Sequence, residues 1–265
     1  MEQPQLATTI CMNTPANSLS RPNCWICGQP ADSGEHKFKA SDIRRAIRLS
    51  QQQPAYLQVN AQATNKEIGS AKAAALQFSK SLCAYCNNTR TQPYDRAWER
   101  LSDYIRTDWR TIRQRRSVDL AVPFSGAIES GALDVHLFFV KLFGCKIVED
   151  GDSIDLSTWA TCLMKRQTHP EVTLLLANAS SCIRGVLAFQ SDVYKMWHRA
   201  PHRLDGAMWG YVVRPIAVKV AYIRGAAPLF SPGHPWHPSQ RRRYVRFSPY
   251  RGAIEPIPGC AVELD

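Results

Sequence analysis

An α+β fold is what this 265-residue sequence predicts, and three observations predict it. Two Cys-x-x-Cys pairs, Cys24/Cys27 and Cys83/Cys86, bracket a stretch near the N-terminus. Between residues 95 and 115, apolar side chains recur at steps of three and four, the period of a helix. From Val172 onward, short runs rich in β-branched and aromatic residues recur, the composition of strands. The expected architecture is a small cysteine-held module, then a helix, then a C-terminal α+β domain around an antiparallel sheet.

The elements follow in order. Residues 1–20 are polar, carry Pro4 and Pro15, and are expected to form a flexible tail. Residues 21–116 make the cysteine-bearing domain. Within it, Cys24-Trp25-Ile26-Cys27-Gly28 reads as a knuckle whose glycine lets backbone amides turn toward the sulfurs. Residues 41–49 read as a short helix, with Ile43, Ala46 and Ile47 apolar and Ser41 placed to cap it. Residues 50–70, rich in Gln, Asn and Ala, read as a loop. Residues 76–82 alternate in part and read as a strand running into Cys83, whose pair then opens a helix. In the 95–115 helix, Trp98, Leu101, Ile105, Trp109 and Ile112 form the apolar stripe, and Arg96, Arg100, Arg106, Arg110 and Arg113 take other positions. Those arginines fit two readings. One is a solvated face paired with Glu99, Asp103 and Asp108; the other is one wall of a nucleic-acid groove.

A boundary is expected at Arg115-Arg116, with residues 117–265 as a second domain. Residues 132–146, including Leu133, His136, Leu137, Val140 and Phe143, are almost wholly apolar and read as a buried helix. Residues 172–176, 183–189, 209–213, 216–223 and 243–247 read as strands, and 228–238 as a Pro/His-rich loop. His198, His202, His234 and His237 lie near prolines and read as surface-loop histidines before a second metal site. Asp150, Asp152 and Asp155 lack the Gly and Glu spacing of a calcium loop. The domain is left with substrate or partner recognition, a protein partner or a second copy of the chain being the candidates.

The formal net charge is +11. Residues 1–116 hold 17 Lys and Arg against 9 Asp and Glu, a net +8, and residues 117–265 hold 16 against 13, a net +3. The excess sits in the half with the cysteine pairs. A basic balance suits a polyanion such as nucleic acid, through phosphate neutralisation and counterion release. The other cysteines, Cys11, Cys145, Cys162, Cys182 and Cys260, are scattered and odd in number. That argues against a disulfide framework and for a reducing cytoplasm. No basic start leads into an apolar run, so no secretory signal is expected. No apolar run approaches the roughly 20 residues that span a bilayer, so no membrane partner is expected.

Four thiolates in two x2-spaced pairs suit a tetrahedral Zn²⁺ ion. Such an all-cysteine site is closed and structural, so chemistry needs other residues. Candidates lie beside it. Glu35-His36 follows the first pair, Asn87-Asn88 directly follows Cys86, and Arg90 lies four past that cysteine. In this order the set resembles the HNH endonuclease family, the zinc-stabilised ββα-metal nucleases, over about residues 21–115. The resemblance implies a treble-clef, ββα-metal module hydrolysing phosphodiester bonds in DNA. It implies Cys24, Cys27, Cys83 and Cys86 as structural zinc ligands and His36 as the general base that activates water. It implies Glu35 and Asn87 as oxygen ligands of a catalytic Mg²⁺ or Mn²⁺, and Arg90 as a phosphate contact. It also suggests a cytoplasmic role in defence. The chain departs from the family in having Glu where Asp or His is commoner, and in the long segment 28–82 between the pairs. The family's middle Asn is not assignable, although Asn60 and Asn65 fall in the interval. Those departures suit a rival reading, a non-catalytic treble-clef zinc module that binds nucleic acid or protein.

Overall fold

The computed structural model describes residues 22–49, 56–58, 66–67, 73–180, 186–198, 203–225 and 235–250. The expected tail, Asn60, Asn65, His202 and His234 lie outside these residues. In chain order the elements are β1 (Ser33–His36), α1 (Ala40–Leu49), β2 (Tyr56–Gln58), β3 (Lys66–Glu67), β4 (Gln77–Leu82), α2 (Gln92–Thr107), α3 (Trp109–Arg115) and β5 (Ser117–Asp119). They continue as α4 (Ile128–Asp150), α5 (Ser157–Lys165), β6 (Val172–Asn178), β7 (Val186–Gln190), β8 (Tyr194–His198), β9 (Arg203–Val213), β10 (Ile216–Ile223), β11 (Tyr244–Arg246) and β12 (Ser248–Pro249). The α+β expectation agrees with this mixture of helices and mainly antiparallel strands.

Helix α4 is the centre of the molecule. A helix apolar on every side has no solvent face to offer, so it is packed all round. Residues 131–147 are buried except Leu133. Gly151 at φ +68 ends the helix in the left-handed conformation that glycine adopts without strain. One side of α4 meets α2, where Trp98 stacks on Phe138 at 5.7 Å and meets Phe139 edge-on at 4.8 Å. Another meets the large sheet, where Phe143 stacks on Trp209 at 5.6 Å.

The large sheet runs β12-β6-β10-β9-β7-β2-β3, with β8 paired to β9. Its centre is antiparallel and in continuous register, with Val218 opposite Leu176 on one side and Tyr211 on the other. The pairs β2·β7 and β12·β6 are parallel. Two small sheets stand apart: β1 with β4, and β5 with β11.

Several expectations change in detail. The stretch 50–70, read as a loop, contributes β2 and β3 to the large sheet. The single helix expected over 95–115 breaks at Asp108 into α2 and α3. The apolar period carries across the break, so periodicity alone could not show it. The strand at 243–247 forms as β11 but pairs with β5 outside the large sheet. The buried helix is longer than the expected 132–146, and His237, read as a surface-loop histidine, is buried against His136 of that helix.

The packing does not divide at residue 116. One apolar cluster runs from Cys24 to Phe247. Asp42 of α1 is fully buried, and a buried carboxylate must be matched by donors. It accepts hydrogen bonds from Trp98 Nε1 (2.8 Å), Ser102 Oγ (3.1 Å), Arg106 Nη1 (2.6 Å) and Tyr211 Oη (3.2 Å). Those donors come from α2 and from β9, so one carboxylate joins the cysteine-bearing segment to the C-terminal sheet. Among the described residues, no helix is long and apolar enough to cross a membrane.

Candidate functional site

The first cysteine pair is a tight turn. Gly28 takes φ +77, and its N–H donates to Cys24 O at 2.8 Å. The second pair is delivered by β4. Cys86 N donates to Cys83 Sγ at 3.4 Å, and the chain passes through a π-helical turn, Cys86–Arg90, before α2. Thr91 Oγ1 locks that turn by donating to the carbonyls of Cys86 (2.9 Å) and Asn87 (3.1 Å). The two pairs are joined through Trp25 N to Ser81 O (3.2 Å) and Asp32 N to Leu82 O (3.1 Å).

The four sulfurs all lie within 4.8 Å of one another, and Cys27 and Cys83 are 3.6 Å apart. Zinc–sulfur bonds of about 2.3 Å give a tetrahedral edge of about 3.8 Å, so the spacing fits one ion. The cluster could hold a metal such as zinc. Burial pushes the Cys24 and Cys86 thiols up. Burial would also raise Cys27, but the Gln29 amide and the neighbouring thiols outweigh it and hold Cys27 down to about 7. Arg90 donates from Nη1 to Cys86 Sγ at 2.9 Å, and its guanidinium lies 5.1 Å from the Tyr85 ring. The arginine expected to meet phosphate is thus held against a cluster sulfur, where its charge compensates thiolate.

The indole of Trp25, between the first two cysteines, lies against α4 at Gly144. A Cβ on Gly144 would stand 2.6 Å from two carbons of that ring. Glycine is required there for close approach, and the cysteine cluster is seated on the central helix.

Strand β1 carries Glu35 and His36 beside the cluster. It pairs with β4 antiparallel, Gly34 opposite Lys80 and His36 opposite Gln77, with irregular register on both sides of Gly34. A Cβ on Gly34 would meet Phe78 O at 2.6 Å, so only glycine lets the strands approach. Asn87 Nδ2 donates to Ser33 Oγ (2.9 Å) and to Gly34 O (3.3 Å). The amide that follows the second cysteine pair therefore clasps the strand that ends in Glu35-His36. His36 is half-buried, and its Nδ1 is buried with no hydrogen-bond partner among the described residues.

Glu35 points inward and is 7% exposed. Its Oε2 accepts from Lys141 Nζ at 2.7 Å and its Oε1 from His36 N at 3.1 Å. Lys141, fully buried on α4, also reaches both oxygens of Asp95 at 3.2 Å. Burial alone would lower the Lys141 ammonium, but Glu35 and then Asp95 outweigh it and hold it raised, so it is charged. A second divalent cation on Glu35 does not fit this arrangement. Both oxygens are engaged, and a full positive charge already lies in contact with one of them. Asn87 keeps its oxygen for such an ion, but its expected carboxylate partner is committed to α4.

Sequence reasoning passed over Lys141. The signal was present, since a lysine inside a long apolar helix demands carboxylates to pair with it. Comparisons with protein-family models, curated proteins and solved structures return no match. Function is therefore argued from the residues themselves.

Proposed function

We propose that this chain is an HNH-type endonuclease hydrolysing phosphodiester bonds in DNA on a zinc-held scaffold. The observation that carries the reading is the clasp of Asn87 onto Ser33 and Gly34. It draws the turn after the second cysteine pair onto the strand of Glu35 and His36, more than fifty positions away. Residues in the order of the HNH motif are thereby gathered next to the four sulfurs.

In this reading Zn²⁺ binds Cys24, Cys27, Cys83 and Cys86 and holds the knuckle against β4. The site is closed, so it supplies structure. His36 accepts the proton of the attacking water, which an imidazole does well near neutral pH. Asn87 orients the strand that bears it. Glu35 anchors that strand through Lys141. The Mg²⁺ or Mn²⁺ of related chemistry has no complete ligand set in Glu35 and Asn87, and no step is assigned to it.

The Glu35–Lys141 contact specifically favours a second reading, a non-catalytic zinc module that binds nucleic acid or protein. One experiment separates the two. Supercoiled plasmid is incubated with purified protein and Mg²⁺ or Mn²⁺, beside the His36→Ala variant, with zinc content measured on both. Nicking or linearisation that vanishes in the variant, with zinc retained, supports the nuclease. Intact plasmid under both metals, with zinc bound, refutes it and leaves the binding module.

A further inference from the structure

The acidic residues of α2 could have neutralised the arginines of the same helical stretch. They do not. Asp95 is taken by Lys141 and Lys39. Glu99 is taken by Lys39 and Ser41, and Asp103 by Arg45, all from β1–α1. Arg106 turns inward to the buried Asp42. Arg96, Arg100, Arg110, Arg113 and Arg116 are left exposed, and none makes an ion pair among the described residues.

Three of these are gathered in one place. An open groove on α3 is lined by Trp109, Arg110, Arg113, Gln114 and Arg116. Arg110 and Arg113 are three apart and share a helix face. Arg116 ends α3 at φ +51, and its carbonyl is fixed by Phe247 N at 2.9 Å. Trp109 is half-buried and braced edge-on by Phe247 at 5.7 Å, so a rigid indole stands beside the guanidinium groups. Exposed Arg246 on β11 lies opposite Ser117, one residue beyond Arg116. Unpaired guanidinium groups repel one another, and a polyanion removes that repulsion.

We infer that the α3 groove, through Arg110, Arg113 and Arg116, binds the phosphate backbone of DNA without regard to sequence. It deepens the proposed function by saying where the DNA lies, and it rests on that reading for the choice of polyanion. The guanidinium groups contact phosphate oxygens, and the Trp109 edge flanks them. Contacts to phosphate position a duplex and carry no sequence information.

The test measures binding of a short random-sequence DNA duplex as a function of salt, with the full chain carrying His36→Ala so that no substrate is consumed. Arg110→Ala/Arg113→Ala is compared with that parent. Alanine is a good helix former, so α3 is retained, and unfolding curves check it. Arg116 is left in place because its backbone is left-handed. Losing two phosphate contacts flattens the log-log salt slope by about 1.8. Between about 50 and 200 mM salt the parent then loses about 12-fold more affinity than the variant. A control, Lys165→Ala/Arg224→Ala, removes the same charge elsewhere and keeps the parent slope. An unchanged slope in the arginine variant overturns the inference, as does equal flattening in the control or a parent that binds no DNA. If the arginine variant behaves as expected and the chain with His36 cuts nothing, the nuclease reading fails and the groove stands. If the chain cuts and the arginine variant binds like its parent, the groove fails and the nuclease stands.

Discussion

Replacing Lys141 with methionine tests how the candidate strand is held to the central helix. Methionine keeps the length and the packing and removes the charge. The ammonium lies 2.7 Å from Glu35 Oε2 and 3.2 Å from Asp95. At an effective dielectric near 20, the two attractions are worth about 6 and about 5 kcal/mol. Desolvating three charged groups cancels most of this, several kcal/mol for each ion. The measurable quantity is what remains when one partner is deleted: an uncompensated Glu35 carboxylate, costing about 3–5 kcal/mol. Denaturant unfolding of the zinc-loaded protein should show that loss as a lower midpoint with an unchanged slope. Lys141→Met/Glu35→Gln should recover most of it, since neither charge then remains at the contact. A loss below about 1 kcal/mol in the single variant, or no recovery in the double, refutes the account of Glu35 as an anchor.

Two further predictions concern stability. Gly144→Ala puts a methyl group 2.6 Å from the Trp25 ring and should cost about 1–2 kcal/mol, overpacking outweighing the gain in helix propensity; Trp25→Phe in the same background should recover part of it, and a neutral Gly144→Ala would show that the indole does not seat there. Acid should destabilise the fold through three buried histidines, His136, His169 and His237, all lowered by burial, His169 to about 4. The unfolded chain takes up these protons near 6.5 and the folded chain resists them. Stability is therefore present above about 6.5 and is lost as pH falls toward 4, His169 alone accounting for about 3 kcal/mol. Unfolding midpoints measured across that range check the sign, and a profile unchanged by His169→Gln contradicts it.

The sequence made some of this legible because the causes are local. A two-residue spacer brings two sulfurs to one point wherever it occurs, so all four cysteines of the cluster could be named in advance. A run as nearly apolar as that in α4 has little to offer solvent and is read as buried, and a β-branched run such as that in β10 favours a strand. What stayed hidden depends on partners distant in sequence. Glu35 was assigned as a metal ligand through the resemblance to the HNH family; the partner it has here, Lys141, lies more than a hundred residues on. Arg90 looked free for phosphate, but the four-cysteine cluster itself supplies its partner, Cys86 Sγ. The arginines of α2 and α3 had two readings because their neutralising acids could be identified only after α1 and α4 had claimed them. β2 and β3 were missed because such short strands owe more to pairing, β2 with β7 and β3 with β2, than to their own composition.

If zinc fills the four-cysteine cluster, the seat of Trp25 on Gly144 makes its loss more than a local event. If the knuckle unwinds, the indole leaves a notch in the helix around which the whole apolar cluster is built. Opening at the knuckle then exposes the interior to proteases and to other unfolding chains. With zinc as the ligand, the fraction of intact chain would then follow the metal supply.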